Sequence, residues 1–129
     1  MIFRQLFEPL SSTYTYLLGC EATGAAILID PVVNSVDRDL QVLQPLGLAL
    51  AYTVETHLHA DHITAARHLK ERVGSKIAAP ALDGLPCVDV MAVSTCPIPS
   101  SSTTRSLAIG YAACVRPICR SRCASTAGT

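Results

Sequence analysis

Leu48-Ala49-Leu50-Ala51-Tyr52-Thr53-Val54-Glu55-Thr56-His57-Leu58-His59-Ala60-Asp61-His62 is the stretch whose reading decides the fold. Its first half, Leu48 to Glu55, is rich in aliphatic and β-branched residues and predicts a strand. The second half gathers three of the four histidines and one carboxylate within six residues. In extended backbone His57 and His59 project from one side, because side chains alternate along a strand. Asp61 and His62 follow where the spacing turns helical, so a turn there aims two more donors at a neighbouring point. Imidazole and carboxylate donors together suit zinc or iron. A lone histidine such as His68 reads instead as a solvated side chain.

Before this stretch, Ile2 to Phe7 and Thr13 to Leu18 read as a hairpin around the Pro9, Ser11 and Ser12 turn. Ala25 to Ile29 is a continuous apolar run, as in a strand buried on both faces, closed by Asp30-Pro31. From Asn34 the period changes. Val36, Leu40, Leu43 and Leu46 recur every three or four residues, Asn34 or Ser35 can cap the start, and Pro45 and Gly47 end the helix. After the histidines, Ile63, Ala66, Leu69 and Val73 predict a second helix closed by Gly74. His62 is then expected at its N-terminus, where the dipole favours a neutral, ligating imidazole. Lys76 to Ala79 reads as a fifth strand and Pro80 to Asp89 as a loop.

Length and composition bound the partners. One domain fits 129 residues, of which half are hydrophobic. A formal net charge of zero gives no basic footprint for nucleic acid or an anionic membrane. No apolar run reaches the roughly 18 residues of a membrane span, and Met1 to Gln5 do not begin a signal sequence, so a cytoplasmic protein is expected. In that reducing compartment the six cysteines are not expected to form a disulfide framework. Cys20 and Cys87 read as small buried apolar residues, and Tyr14, Tyr16 and Tyr52 as strand-face or core residues.

After Asp89 the chain has no Asp, Glu, Lys or His, but four arginines, seven serines and Cys96, Cys114, Cys119 and Cys123. These cysteines contain no Cys-x-x-Cys pair and match no familiar zinc spacing. Residues 91–129 are therefore expected to be a divergent, irregular tail, disordered or translated out of frame. No Gly-x-Ser-x-Gly elbow occurs, which sets aside a serine hydrolase.

His57-x-His59-x-Asp61-His62 resembles the metal motif of the metallo-β-lactamase superfamily. The fuller run Thr56 to Thr64, together with Pro86-Cys87-Val88-Asp89, is similar to its persulfide dioxygenase branch over residues 1–90. The resemblance implies an α/β chain comprising the N-terminal half of a metallo-β-lactamase αββα sandwich. It also implies a metal held by His57, His59, Asp61 and His62, with Asp61 as catalytic candidate. In the persulfide dioxygenases iron(II) would be bound through His57, while a histidine and an aspartate come from later Gly-His-Thr and Thr-Gly-Asp segments that do not occur here. The substrate implied is a small thiol such as glutathione persulfide, oxidised to sulfite. Two other readings stand beside it. One is a zinc thiolester hydrolase of the glyoxalase II type, with His57 and His59 on one ion and Asp61 and His62 on a second. The other is a non-catalytic fragment, compatible with an oligomer. Asp30 resembles a position close to the metal loop, but capping of the following turn explains it equally well, and a structural role is expected over a catalytic one.

Overall fold

The computed structural model describes residues 1–92. The expectations placed on residues 93–129, including those for Cys96, Cys114, Cys119 and Cys123, lie outside the described residues. Six strands lie side by side in chain order: β1 (Ile2–Glu8), β2 (Thr13–Cys20), β3 (Ala25–Ile29), β4 (Ala49–Val54), β5 (Lys76–Pro80) and β6 (Val90–Ala92). The first three are antiparallel neighbours. The β3–β4, β4–β5 and β5–β6 pairs are parallel.

The opening hairpin is set by a carboxylate. Glu8 accepts hydrogen bonds from the Leu10 N–H at 3.1 Å, the Ser11 N–H at 2.7 Å and the Ser11 hydroxyl at 2.6 Å. These pull its pKa below the usual range, the Ser11 hydroxyl most strongly. Ile2 then pairs with Gly19 and Glu8 with Thr13, so the strands align along their full length.

Two helices make the parallel connections. The first, α1 (Val36–Leu43), is flanked by 3₁₀ turns at Val33–Ser35 and Gln44–Leu46. Ser35 stands at its N-cap without a side-chain cap bond. Pro45 sits in the second turn and Gly47 ends it in the left-handed region, φ 64°. The expected stripe is observed, with Val36 and Leu43 buried and Leu40 and Leu46 packed at the margin.

The second helix departs from expectation. It runs Ala66–Val73 and begins four residues after His62. Residues 63–65 are instead drawn to the chain after β3. The Val33 N–H donates to the Ile63 carbonyl at 3.0 Å, the Ala65 N–H to the Pro31 carbonyl at 2.7 Å, and Val32 bridges Thr64. Ile63 is 72% exposed and Val73 also faces outward, so Ala66 and Leu69 alone anchor this helix, α2, to the sheet. Gly74 closes it as expected, at φ 73°.

Leu17, Ala26, Leu28 and Leu50 meet Val36, Leu43, Ala65 and Leu69 in one core, on the side of the sheet that carries the helices. Ile27, Val54 and Ala78, with Leu18, Ile29, Tyr52 and Val90, form a second cluster without helix residues. A sheet backed by helices on one face, among the described residues, corresponds to an α layer and a β layer. The observed fold is therefore α/β, as the resemblance implied.

Candidate metal centre

Strands β3, β4 and β5 run parallel, and ligands gather at the carboxyl edge of such sheets. There β4 stops at Val54, one residue before the buried Glu55, and the chain enters the loop that carries the histidines. His57 and His59 thus sit in a loop, and strand alternation is not what brings them together. A set of hydrogen bonds centred on Asp30 does that.

Asp30 ends β3 in the left-handed region, φ 50°, a conformation Asp tolerates better than most residues. Its Oδ1 accepts the Thr56 N–H at 2.7 Å, and its Oδ2 accepts the Thr56 hydroxyl at 2.7 Å. His59 Nε2 lies 3.0 Å from Asp30 Oδ1 and 3.3 Å from Glu55 Oε2. The carboxylate therefore joins β3 to the loop after β4, and its role is to position that loop. The role is structural, but the contacts run to the loop after β4.

These contacts assign the tautomers. The Thr56 hydroxyl gives its hydrogen to Asp30, so at His57 Nδ1, 2.7 Å away, the oxygen can only accept. His57 therefore carries its proton on Nδ1 and keeps the Nε2 lone pair. His59 Nε2 faces two carboxylates and must donate, which leaves the lone pair on Nδ1. That atom points toward Asp61 Oδ1, 3.8 Å away.

The four expected residues converge. Ring centroids are 4.2 Å apart for His57 and His59, and 4.3 Å for His59 and His62. His59, Asp61 and His62 offer donor atoms within 4.8 Å of one another, and so do Asp30, His57 and His59. The two groups share His59. Asp61 is 55% exposed. Its own backbone N–H, with the neighbouring His62 and His59, holds its carboxyl below the usual range.

His62 tests whether these residues fit a cation. Its side chain is only 4% exposed; Nδ1 is 3.2 Å from Asp61 Oδ1, and Nε2 has no hydrogen-bond partner among the described residues. Burying an imidazole nitrogen without a partner costs on the order of 1–3 kcal/mol. A metal accepting one lone pair removes much of that cost, so the donor set fits a metal ion.

Two participants were missed in the sequence. Glu55 closes β4 as one more acid, with no spacing signal to mark it. Burial, aided by the negative charge of Asp30, raises its pKa to about 7, against the opposing hydrogen bond from the Thr64 hydroxyl. Cys87 was expected to be buried but is exposed, on the loop after the 3₁₀ turn Ala81–Asp83. It belongs to neither apolar cluster of the described residues. A cavity of about 130 Å³ opens between Cys87, Leu85, Arg67 and the three histidines.

A parallel-edged sheet backed by helices, with a histidine and carboxylate loop at its carboxyl edge, defines a metal-site α/β protein. Residues 9–92 match the metallo-beta-lactamase superfamily, and the chain belongs to that superfamily. It is 53% identical over 70 residues to the mitochondrial persulfide dioxygenase of Bos taurus, covering 54% of this chain and 28% of that protein. The Homo sapiens counterpart is 51% identical over the same length and the same shares of the two chains. The crystal structure of ETHE1 from Myxococcus xanthus superposes with a TM-score of 0.71 at 48% identity, covering 77% of this chain and 44% of that one. The chain thus spans less than a third of the length of these curated relatives. The superfamily and the candidate donor groups imply a metal cofactor. Among the described residues no helix is long and apolar enough to cross a membrane.

Proposed function

We propose that this chain carries the amino-terminal part of a persulfide dioxygenase-type metal site, in which His57 would hold iron together with ligands from elsewhere and His59, Asp61 and His62 provide the further donors beside it. The observation that carries this reading is the buried His62, whose Nε2 lacks a hydrogen-bond partner among the described residues. His57 offers Nε2 and His59 offers Nδ1, each fixed by the hydrogen bond at its other nitrogen. Asp61 is the exposed member, able to reach a ligand or exchange a proton at the rim, and it is the catalytic candidate.

Iron(II) is the metal proposed, and when bound it supplies dioxygen chemistry toward a thiol substrate such as glutathione persulfide. Asp30, Thr56 and Glu55 orient the imidazoles and hold the loop against β3. The Gly-His-Thr and Thr-Gly-Asp segments of the family do not occur in these 129 residues. Metal binding by this chain is accordingly proposed to be weakened, and turnover to depend on ligands supplied from elsewhere. A cytoplasmic location belongs to the same reading.

A second reading, a zinc thiolester hydrolase with His57 and His59 on one ion and Asp61 and His62 on a second, is favoured by the convergence of these side chains in one loop. Metal analysis after separate iron(II) and zinc loading, followed by sulfite and thiolester assays, decides between them. About one iron per chain, lost in His57→Ala, supports the dioxygenase site. About two zinc ions with thiolester turnover would replace it with the hydrolase. Retention of neither metal would leave a non-catalytic fragment.

A further inference from the structure

We propose that Cys87 is a sulfur-accepting modification site at the rim of the histidine cavity, taking the outer sulfur of a small-molecule persulfide. The choice of substrate rests on the dioxygenase reading above, whereas the geometry does not.

Cys87 lines the same cavity as His57, His59 and His62, between the apolar side chains of Leu85 and Val88. Its thiol is exposed. His62, 4% exposed and with Nε2 unpartnered among the described residues, lines that cavity too, so the space is shaped to receive a ligand. Cys87 is also held in place. Two residues on, Asp89 accepts from the Ile77 N–H at 2.8 Å and from Lys70 Nζ at 2.6 Å, while its own N–H donates to the Ile77 carbonyl at 2.9 Å.

At about 130 Å³ the cavity is smaller than the roughly 300–1,000 Å³ of an ordinary small-molecule pocket. A glutathione-sized molecule must stay outside and present only its sulfur end, which brings the outer sulfur to the rim. Arg67 lines the same wall. Its guanidinium, paired with Glu71 at 3.0 Å, presents a positive charge that attracts the carboxylates of such a substrate.

The step balances without an oxidant. The Cys87 Sγ thiolate attacks the outer sulfur of R–S–S–H and an Sγ–S bond forms. The S–S bond of the persulfide breaks, and its electron pair leaves on the inner sulfur as the thiolate R–S⁻. The outer sulfur keeps its hydrogen, giving Cys87–S–S–H.

The test treats the full 129-residue chain with glutathione persulfide, blocks the thiols, and follows each cysteine peptide by mass spectrometry. Cys87 is expected to gain one sulfur about fivefold or more faster than the half-buried Cys20, with the preference lost in concentrated urea. Equal native rates, or a preference that survives urea, would overturn the proposal. Metal uptake is measured on the same preparation. Uptake of sulfur at Cys87 by a chain that binds no metal supports this proposal and sinks the metal reading alone. Metal uptake with no Cys87 preference does the reverse.

Discussion

The Asp30 carboxylate takes both donors of Thr56, the backbone N–H on Oδ1 and the hydroxyl on Oδ2, each at 2.7 Å. Through this pair the end of β3 dictates where the chain goes after β4. The Thr56 oxygen, having spent its hydrogen, in turn sets the proton on His57. A single carboxylate therefore organises two imidazoles, His59 directly and His57 through Thr56.

Asp30→Ala removes that organiser. Metal affinity should fall roughly 10- to 100-fold, the range for loss of a group that orients a ligating histidine. Calorimetric titration with zinc checks it, and an unchanged affinity would show that the loop holds its shape without Asp30.

Thr56→Val keeps the shape but deletes the hydroxyl. The His57 Nδ1–H then loses its acceptor, so the proton is expected to redistribute between the two nitrogens, visible in the imidazole nitrogen chemical shifts. Leaving Asp30 Oδ2 without its donor should cost about 1–3 kcal/mol in urea unfolding.

Leu69→Ala acts on the scaffold. Leu69 is fully buried and, with Ala66, anchors α2 beneath the histidine loop. A loss of about 2–5 kcal/mol is expected from the cavity created, and unfolding by denaturant measures it.

Asp89→Asn tests a pH dependence. The Ile77 N–H first, then Lys70, holds the folded Asp89 carboxyl below the ordinary value of 3.8. The stabilisation from its ionised form is therefore fully present above that ordinary value and is lost as pH falls through the lower folded pKa. The variant should be less stable near neutrality and show a flatter stability profile on acidification, read from unfolding midpoints between neutral and acid pH. A variant whose profile overlays the parent's would remove Asp89 from that role.

Much of the fold was legible because period and punctuation agree in this chain. Ala25 to Ile29 is apolar without interruption and became β3, with Ala26, Ile27 and Leu28 buried, and Gly47 and Gly74 stop the two helices where left-handed backbone is needed. The start of α2 was not legible. Ile63 fits a helical stripe, but the Val33 N–H takes its carbonyl, and a pairing across 30 residues leaves no local trace. The histidines themselves stood out by density, whereas Asp30 and Glu55 became part of the site only through tertiary contact. Cys87 escaped for a related reason, because its exposure depends on what the loop lies against.

The central claim is that the loop from His57 to His62 holds a metal ion, and His62 is the residue on which it turns. The direct measurement is cobalt(II) titration of the full chain, followed by visible absorption, beside His62→Ala and His68→Ala. The account expects a low-symmetry ligand-field spectrum from the parent and from His68→Ala, and its loss or roughly tenfold or greater weakening in His62→Ala. An identical titration in all three proteins would contradict it, since a buried imidazole whose Nε2 has no partner among the described residues would then have been held in place for some purpose other than a metal.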